Sequence, residues 1–130
     1  MSKKTKNKAK AARRQRLERI GEEAFMNASN LRGFPFSSLL NDIGRQAFMN
    51  CSSMLEVNLS CTKVRIIRSG TFRGCISVTM VHFPPRLRLV EVSAFKDCTS
   101  LSRILNLCRG VVIEDGAFEG VPGYHQITHL

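Results

Sequence analysis

Ile20-Gly21-Glu22-Glu23-Ala24-Phe25 returns as Ile43-Gly44-Arg45-Gln46-Ala47-Phe48. It returns again as Ile67-Arg68-Ser69-Gly70-Thr71-Phe72, Val90-Glu91-Val92-Ser93-Ala94-Phe95 and Ile113-Glu114-Asp115-Gly116-Ala117-Phe118. The five phenylalanines follow one another at intervals of 23, 24, 23 and 23 residues. A period of this length marks a solenoid, in which no unit buries its apolar face alone and stacking builds the core.

Working outward from each Phe, further apolar columns line up. Five residues before it stand Ile20, Ile43, Ile67, Val90 and Ile113; six after it stand Leu31, Met54, Val78, Leu101 and Tyr124. Nine after it come Phe34, Val57, Val81, Ile104 and Ile127. Eight before the later Phe residues stand Leu40, Val64 and Leu87, with Gly110 breaking the series. Such columns are the inward positions of units stacked roughly 4.8 Å apart as parallel strands. The residue two after each Phe is Asn27, Asn50, Gly74, Asp97 or Gly120, types that tolerate positive φ. A short helical turn carrying the Ala-Phe pair is therefore expected to end there in a left-handed cap. The Leu55–Leu59 and Val78–Phe83 segments alternate as half-buried strands, and Pro84-Pro85 closes the second of them.

The phrase Ile-Gly-x-x-Ala-Phe-x-x-Cys-x-x-Leu resembles the BspA-type leucine-rich repeat of bacterial surface antigens and of microbial eukaryotes. It is clearest at Ile43–Cys51 and Ala94–Leu101, and the resemblance covers residues 20–130. The chain departs from the pattern where Ala28 and Val121 replace the column Cys, where Thr71 replaces Ala, and in the register of Ile104–Leu107. The resemblance implies a curved solenoid for protein binding or adhesion, with no shared catalytic set. The expected fold is thus an α/β-type repeat solenoid, a short leucine-rich-repeat array of short parallel strands and one-turn helices. It comprises four to five repeats at 20–130, preceded by a basic tail, disordered or partly helical, at 1–19.

Charge separates the two parts. The net charge is +10, but residues 1–19 hold nine bases and one acid (+8), leaving eleven bases and nine acids (+2) in the remainder. On this average, an argument from charge to partner applies to the tail alone. Its bases are Lys3, Lys4, Lys6, Lys8, Lys10, Arg13, Arg14, Arg16 and Arg19. Three readings compete for them: a nuclear-import signal, a phosphate-binding arm for RNA or DNA whose grip falls with salt, and a plain solvated tail. No aromatic residue is interleaved to stack on bases, and no broad apolar face supports membrane insertion. The N-terminus shows no apolar leader of roughly 7–15 residues, and no apolar run approaches the ~20 residues of a membrane span. The resulting expectation is an intracellular protein, cytoplasmic or nuclear, with a fragment of a surface adhesin as the third reading.

The residues that could carry chemistry favour a binding role. Cys51, Cys75 and Cys98 form a column three after the Phe, Cys61 and Cys108 lie thirteen after, and no C-x-x-C pair announces zinc. Buried packing suits these cysteines, and column-mates pointing inward are not expected to bond. His125 and His129 have H-x-x-x-H spacing without the Glu and further ligands of a metal site. No Ser-His-acid set, carboxylate pair or phosphate loop fills catalytic roles, so neither enzyme nor cofactor is expected. The leading expectation is a non-enzymatic protein-interaction scaffold, its partner unidentified. Arg32, Glu56, Asn58, Thr79, His82 and Arg103 are the candidate outward face. The runner-up is a nuclear or nucleic-acid adaptor working through the tail. Tyr124, Ile127 and Leu130 continue the apolar columns, so self-association through an open C-terminal end is also expected.

Overall fold

The computed structural model describes residues 16–124. Eight short strands lie in chain order: β1 Arg19–Ile20, β2 Asp42–Ile43, β3 Glu56–Asn58, β4 Ile66–Ile67, β5 Met80–His82, β6 Leu89–Val90, β7 Arg103–Leu105 and β8 Val112–Ile113. They form parallel sheets in the orders β1-β2, β3-β5-β7 and β4-β6-β8, and β2 packs beside β4. Each coil therefore contributes one strand to a wall before its Phe, and the second, third and fourth coils each contribute one to a wall after it. The first coil lacks the second strand because Gly33 and Pro35 occupy the equivalent stretch, and proline has no N–H for a ladder.

The expected one-turn helices do not form; the Ala-Phe segment is a run of tight turns. The N–H groups of Ala24, Met26 and Ala28 donate within their own coil to the carbonyls of Gly21, Glu23 and Phe25, three residues back, at 3.2, 3.1 and 3.1 Å. The alternate N–H groups, of Glu23, Phe25 and Asn27, donate to Arg45, Ala47 and Met49 of the next coil at 3.0, 2.7 and 2.8 Å. A helix directs all its N–H groups along its own axis. Here every second one links two coils. The geometry requires left-handed backbone on both sides of the Phe. Two residues after it, Asn27, Asn50, Gly74, Asp97 and Gly120 all have positive φ, as expected; two before it, so do Glu23, Gln46, Gly70, Ser93 and Gly116.

The apolar columns build the core. Ile43, Ile67, Val90, Met54, Val57, Val81, Leu40 and Val64 are fully or almost fully buried. At its centre the five phenylalanines stack, with ring centroids 5.2, 5.6, 5.4 and 5.2 Å apart along the series Phe25, Phe48, Phe72, Phe95, Phe118. Phe34 and Phe36 meet Phe48 edge-on, and Phe83 meets Phe95 so. Departures from the repeat are satisfied locally. Thr71 is buried, but its Oγ1 donates to the Arg68 carbonyl at 2.7 Å. The extra residue of the second interval lies between β3 and β4, because Val57 pairs 24 residues ahead with Val81 while Ile67 pairs 23 ahead with Val90. A polar turn absorbs it: Asn58 Oδ1 accepts from Ser60 N and Ser60 Oγ, at 3.1 and 2.6 Å.

Candidate functional site

The β3-β5-β7 wall presents one row of side chains inward and two outward. Val57, Val81 and Ile104 are register partners and point to the core. Glu56, Met80 and Arg103 form one outward row; Asn58, His82 and Leu105 form the other. The period of two along a strand compels this arrangement. Glu56, Asn58 and Arg103 are exposed, and His82 is half-buried. Its Nε2 lies 2.9 Å from Glu56 Oε1 but is misaligned for a hydrogen bond, leaving a close polar contact that becomes an ion pair on protonation.

Beside β3 the first coil opens an exposed depression of ≈ 320 Å³ lined by Arg32, Gly33, Phe34, Leu55, Glu56 and Asn58. Arg32 reaches this place through the coil stack, its carbonyl accepting from Leu55 N at 3.1 Å. Thr79 is exposed but precedes β5, where its carbonyl accepts from Ser102 and Arg103 at 3.0 and 3.2 Å. The wall thus gathers Arg32, Glu56, Asn58, His82 and Arg103, with Thr79 at its margin. It also includes Met80 and Leu105, which parity could have added, since they share the parity of His82 and Arg103, and the exposed Leu55, which parity would have turned inward with Val57.

The thiol column is built into the core. Cys51, Cys75 and Cys98 are buried, and their Sγ atoms donate to the Phe25, Phe48 and Phe72 carbonyls of the preceding coil at 3.2, 3.2 and 3.1 Å. Burial pushes the Cys98 thiol up to about 12 and raises Cys75 and Cys51 as well. A protonated, enclosed thiol is neither nucleophile nor metal ligand. Cys61 and Cys108 are exposed, and all five cysteines are free. Among the described residues no three His, Cys, Asp or Glu side chains converge on one metal position. No helix among them is long and apolar enough to cross a membrane.

Of the tail bases only Arg16 and Arg19 fall within the described residues; both are exposed, and Arg19 pairs with Asp42 in the β1-β2 ladder. Lys3 through Arg14, like His125 and His129, lie outside them.

A stack of parallel strands, αL-flanked turns and a continuous Phe core coincides with a sequence match to the family described as BspA type leucine rich repeat region, in six copies over residues 4–124. The chain belongs to that family. Among solved structures it is similar to a leucine rich repeat protein of T. pallidum, with 28% identity and a TM-score of 0.73. That match covers 85% of this chain and 53% of the other, so the chain spans about half the length of its neighbour. It shares its fold, at 23% identity and a TM-score of 0.62, with a leucine rich cell surface protein of Faecalibacterium prausnitzii A2-165, covering 82% of this chain and 34% of that one. No curated protein matches.

The expectation of a cytoplasmic or nuclear protein is corrected here: proteins built on this repeat include one whose place is the cell surface. That expectation rests on the lack of an apolar leader and of an apolar run of membrane length, and neither reports a compartment, since the chain matches about half of a longer neighbour.

Proposed function

We propose that this BspA-type repeat protein is a non-enzymatic scaffold at the cell surface that binds another protein through its β3-β5-β7 wall. The observation that carries the proposal is the outward double row Glu56, Met80, Arg103 and Asn58, His82, Leu105. It mixes both charges, an imidazole, an amide and two apolar side chains on a rigid base, beside an open depression. Such a surface is equipped for a folded protein partner: apolar anchors are ringed by polar groups that can be matched. The family match and the surface protein of like fold support the placement.

The test replaces Glu56, Met80 and Arg103 together (E56R/M80E/R103E) in the full chain. All three project outward, so the melting temperature should stay within a few degrees of wild type while capture of the surface-derived partner is lost. Capture unaffected by this variant would move the binding face elsewhere. Labelling of intact cells with an impermeant amine reagent tests the placement separately, and a chain labelled only after lysis would overturn it.

Two further roles rest on specific features. Phosphate binding by the tail rests on its nine bases, and neutralising them should abolish a salt-dependent affinity for nucleic acid. Self-association rests on the last described coil, where the N–H groups of Gly116, Phe118 and Gly120 have no partner among the described residues. The equivalent groups of earlier coils bond forward in every case but Gly70, so sedimentation should show mass rising with concentration, and a constant monomer would refute it.

A further inference from the structure

The near-neutral average of the repeat body conceals a cluster of positive charge. Lys63, Arg86 and Arg109 each stand three residues before the register-matched strand residues Ile66, Leu89 and Val112. Arg65 and Arg88 stand one before Ile66 and Leu89, and the Arg88 N–H donates to the Arg65 carbonyl at 2.7 Å. All five are exposed. Between them in sequence lie Val64 and Leu87, both buried, so the residues on either side turn outward together. Five of the body's eleven bases therefore form a ladder two positions wide and three coils long. Neighbours are roughly 4.8 Å apart between coils and roughly 7 Å apart within one.

None of the five takes part in an ion pair; the ion pairs among the described residues are Arg68–Asp42 and Lys96–Glu119, beside the His82–Glu56 contact. No acidic residue occupies the ladder positions in these three coils. Like charges held this close on facing strands destabilise the fold, and they lie within the Debye length of ~8 Å at physiological salt. An arrangement that costs stability in the free protein becomes favourable when an extended polyanion lies along it. Four of the five are arginines, whose planar forks engage sulfate and carboxylate oxygens in pairs. No aromatic side chain stands among them, which disfavours stacked nucleobases.

We infer that this ladder is a second binding surface, separate from the β3-β5-β7 wall, for a linear anionic polysaccharide bearing sulfate or carboxylate groups. The inference rests on the cell-surface placement proposed above, where such chains are encountered.

The test uses the full chain with the eight bases before Leu17 replaced by glutamine, so that the tail does not mask the ladder. The probes are a heparin dodecasaccharide (sulfate and carboxylate), a hyaluronan oligosaccharide of equal length (carboxylate alone) and a DNA duplex of matched charge. The tail-neutral chain should bind the heparin probe. R65Q/R86Q/R88Q should weaken that binding at least tenfold and lower the slope of log affinity against log salt by two or more, while R88K retains it. R45Q/R73Q, in the turns around Phe48 and Phe72, should leave it within about twofold. Binding of hyaluronan as tightly as heparin assigns the ladder to carboxylates, and weaker binding assigns it to sulfates. Equal losses in the ladder variant and R45Q/R73Q, or no polysaccharide binding by the tail-neutral chain, overturn the ladder alone. Tighter binding of the duplex than of either polysaccharide overturns the ladder's ligand, whereas the surface placement on which it rests fails separately, by the labelling of intact cells. The ladder variant should melt no lower than its parent, and higher at low salt, because the change relieves repulsion.

Discussion

Phe72 shows how much one residue carries. Its ring is enclosed between Phe48 and Phe95 at 5.6 and 5.4 Å and has no exposed surface. Phe72→Ala removes both stacking contacts and leaves a void that neighbouring coils cannot close, at a cost of about 3–5 kcal/mol. Chemical denaturation should read that loss. Gly74 illustrates a different constraint, since it combines φ +74 with the Asn50 side chain folded over its α-carbon. A methyl group there would meet Asn50 Oδ1 and demand left-handed backbone, so Gly74→Ala should destabilise by more than ~1 kcal/mol. Asn50→Ala should recover only part of it, because the backbone strain stays.

The thiol column gives a prediction in pH. Cys98 is pushed from 9.0 in the unfolded chain to about 12 in the fold by burial. The folded protein thus holds this proton more tightly than the unfolded chain. Its contribution is complete below about pH 9 and is lost as pH rises toward 12. Wild type should lose melting temperature across that window more steeply than Cys98→Val, whose column-mate Val121 shows that the position accepts valine. In native protein an alkylating reagent should modify Cys61 and Cys108 and spare Cys51, Cys75 and Cys98. Rapid modification of all five would contradict the burial.

At the scale of the element, the turn around each Phe rather than the strand defines the coil. Strands of two or three residues supply few ladder bonds, and the alternating turn bonds continue the stack between them. The cost falls on the left-handed positions. Gly70 and Gly116 occupy the site two before Phe without strain, whereas Ser93 holds φ +62 with a side chain. Ser93→Gly should relieve that strain, offset by the extra chain entropy of glycine, for a net gain of up to about 1 kcal/mol. A loss of stability would mean the Ser93 side chain holds the turn by contacts of its own. These turns were only half legible in the sequence. Asn27, Asn50 and Asp97 announce positive φ by their type, but Glu23, Gln46 and Ser93 do not. Their conformation is imposed by hydrogen bonds to a coil 23 or 24 residues away, which no local propensity records.

Across the whole molecule, stability is a sum over coils and their contacts, so the interior should outlast the ends. Val57, Ile67 and Val81 are fully buried, whereas Phe25 and Ile113 at the two ends of the described stack remain partly exposed. Hydrogen exchange should find the slowest amides in the second and third coils, with Phe48 and Phe72 outlasting Val112 and Glu114. Uniform protection would indicate one cooperative unit.

The division between sequence and structure follows from the same geometry. The period, the inward columns and the family were readable from residues 20–124 because each depends on identity recurring at a fixed interval. The outward strand face was readable in part, because parity along a strand is local and admits Met80 and Leu105, whereas Leu55 and Thr79 share the parity of the inward Val57 and Val81 yet are exposed. Three features came only with the stacked structure. The Ala-Phe segment is a turn because alternate N–H groups leave for the next coil. The Cys98 thiol keeps its proton well above pH 9 because the coils close over it. The bases Lys63, Arg65, Arg86, Arg88 and Arg109 share one edge because the coil register carries side chains 23 residues apart to within a few ångströms. Recurrence is a property of the chain, but nearness between recurrences is created by the stack.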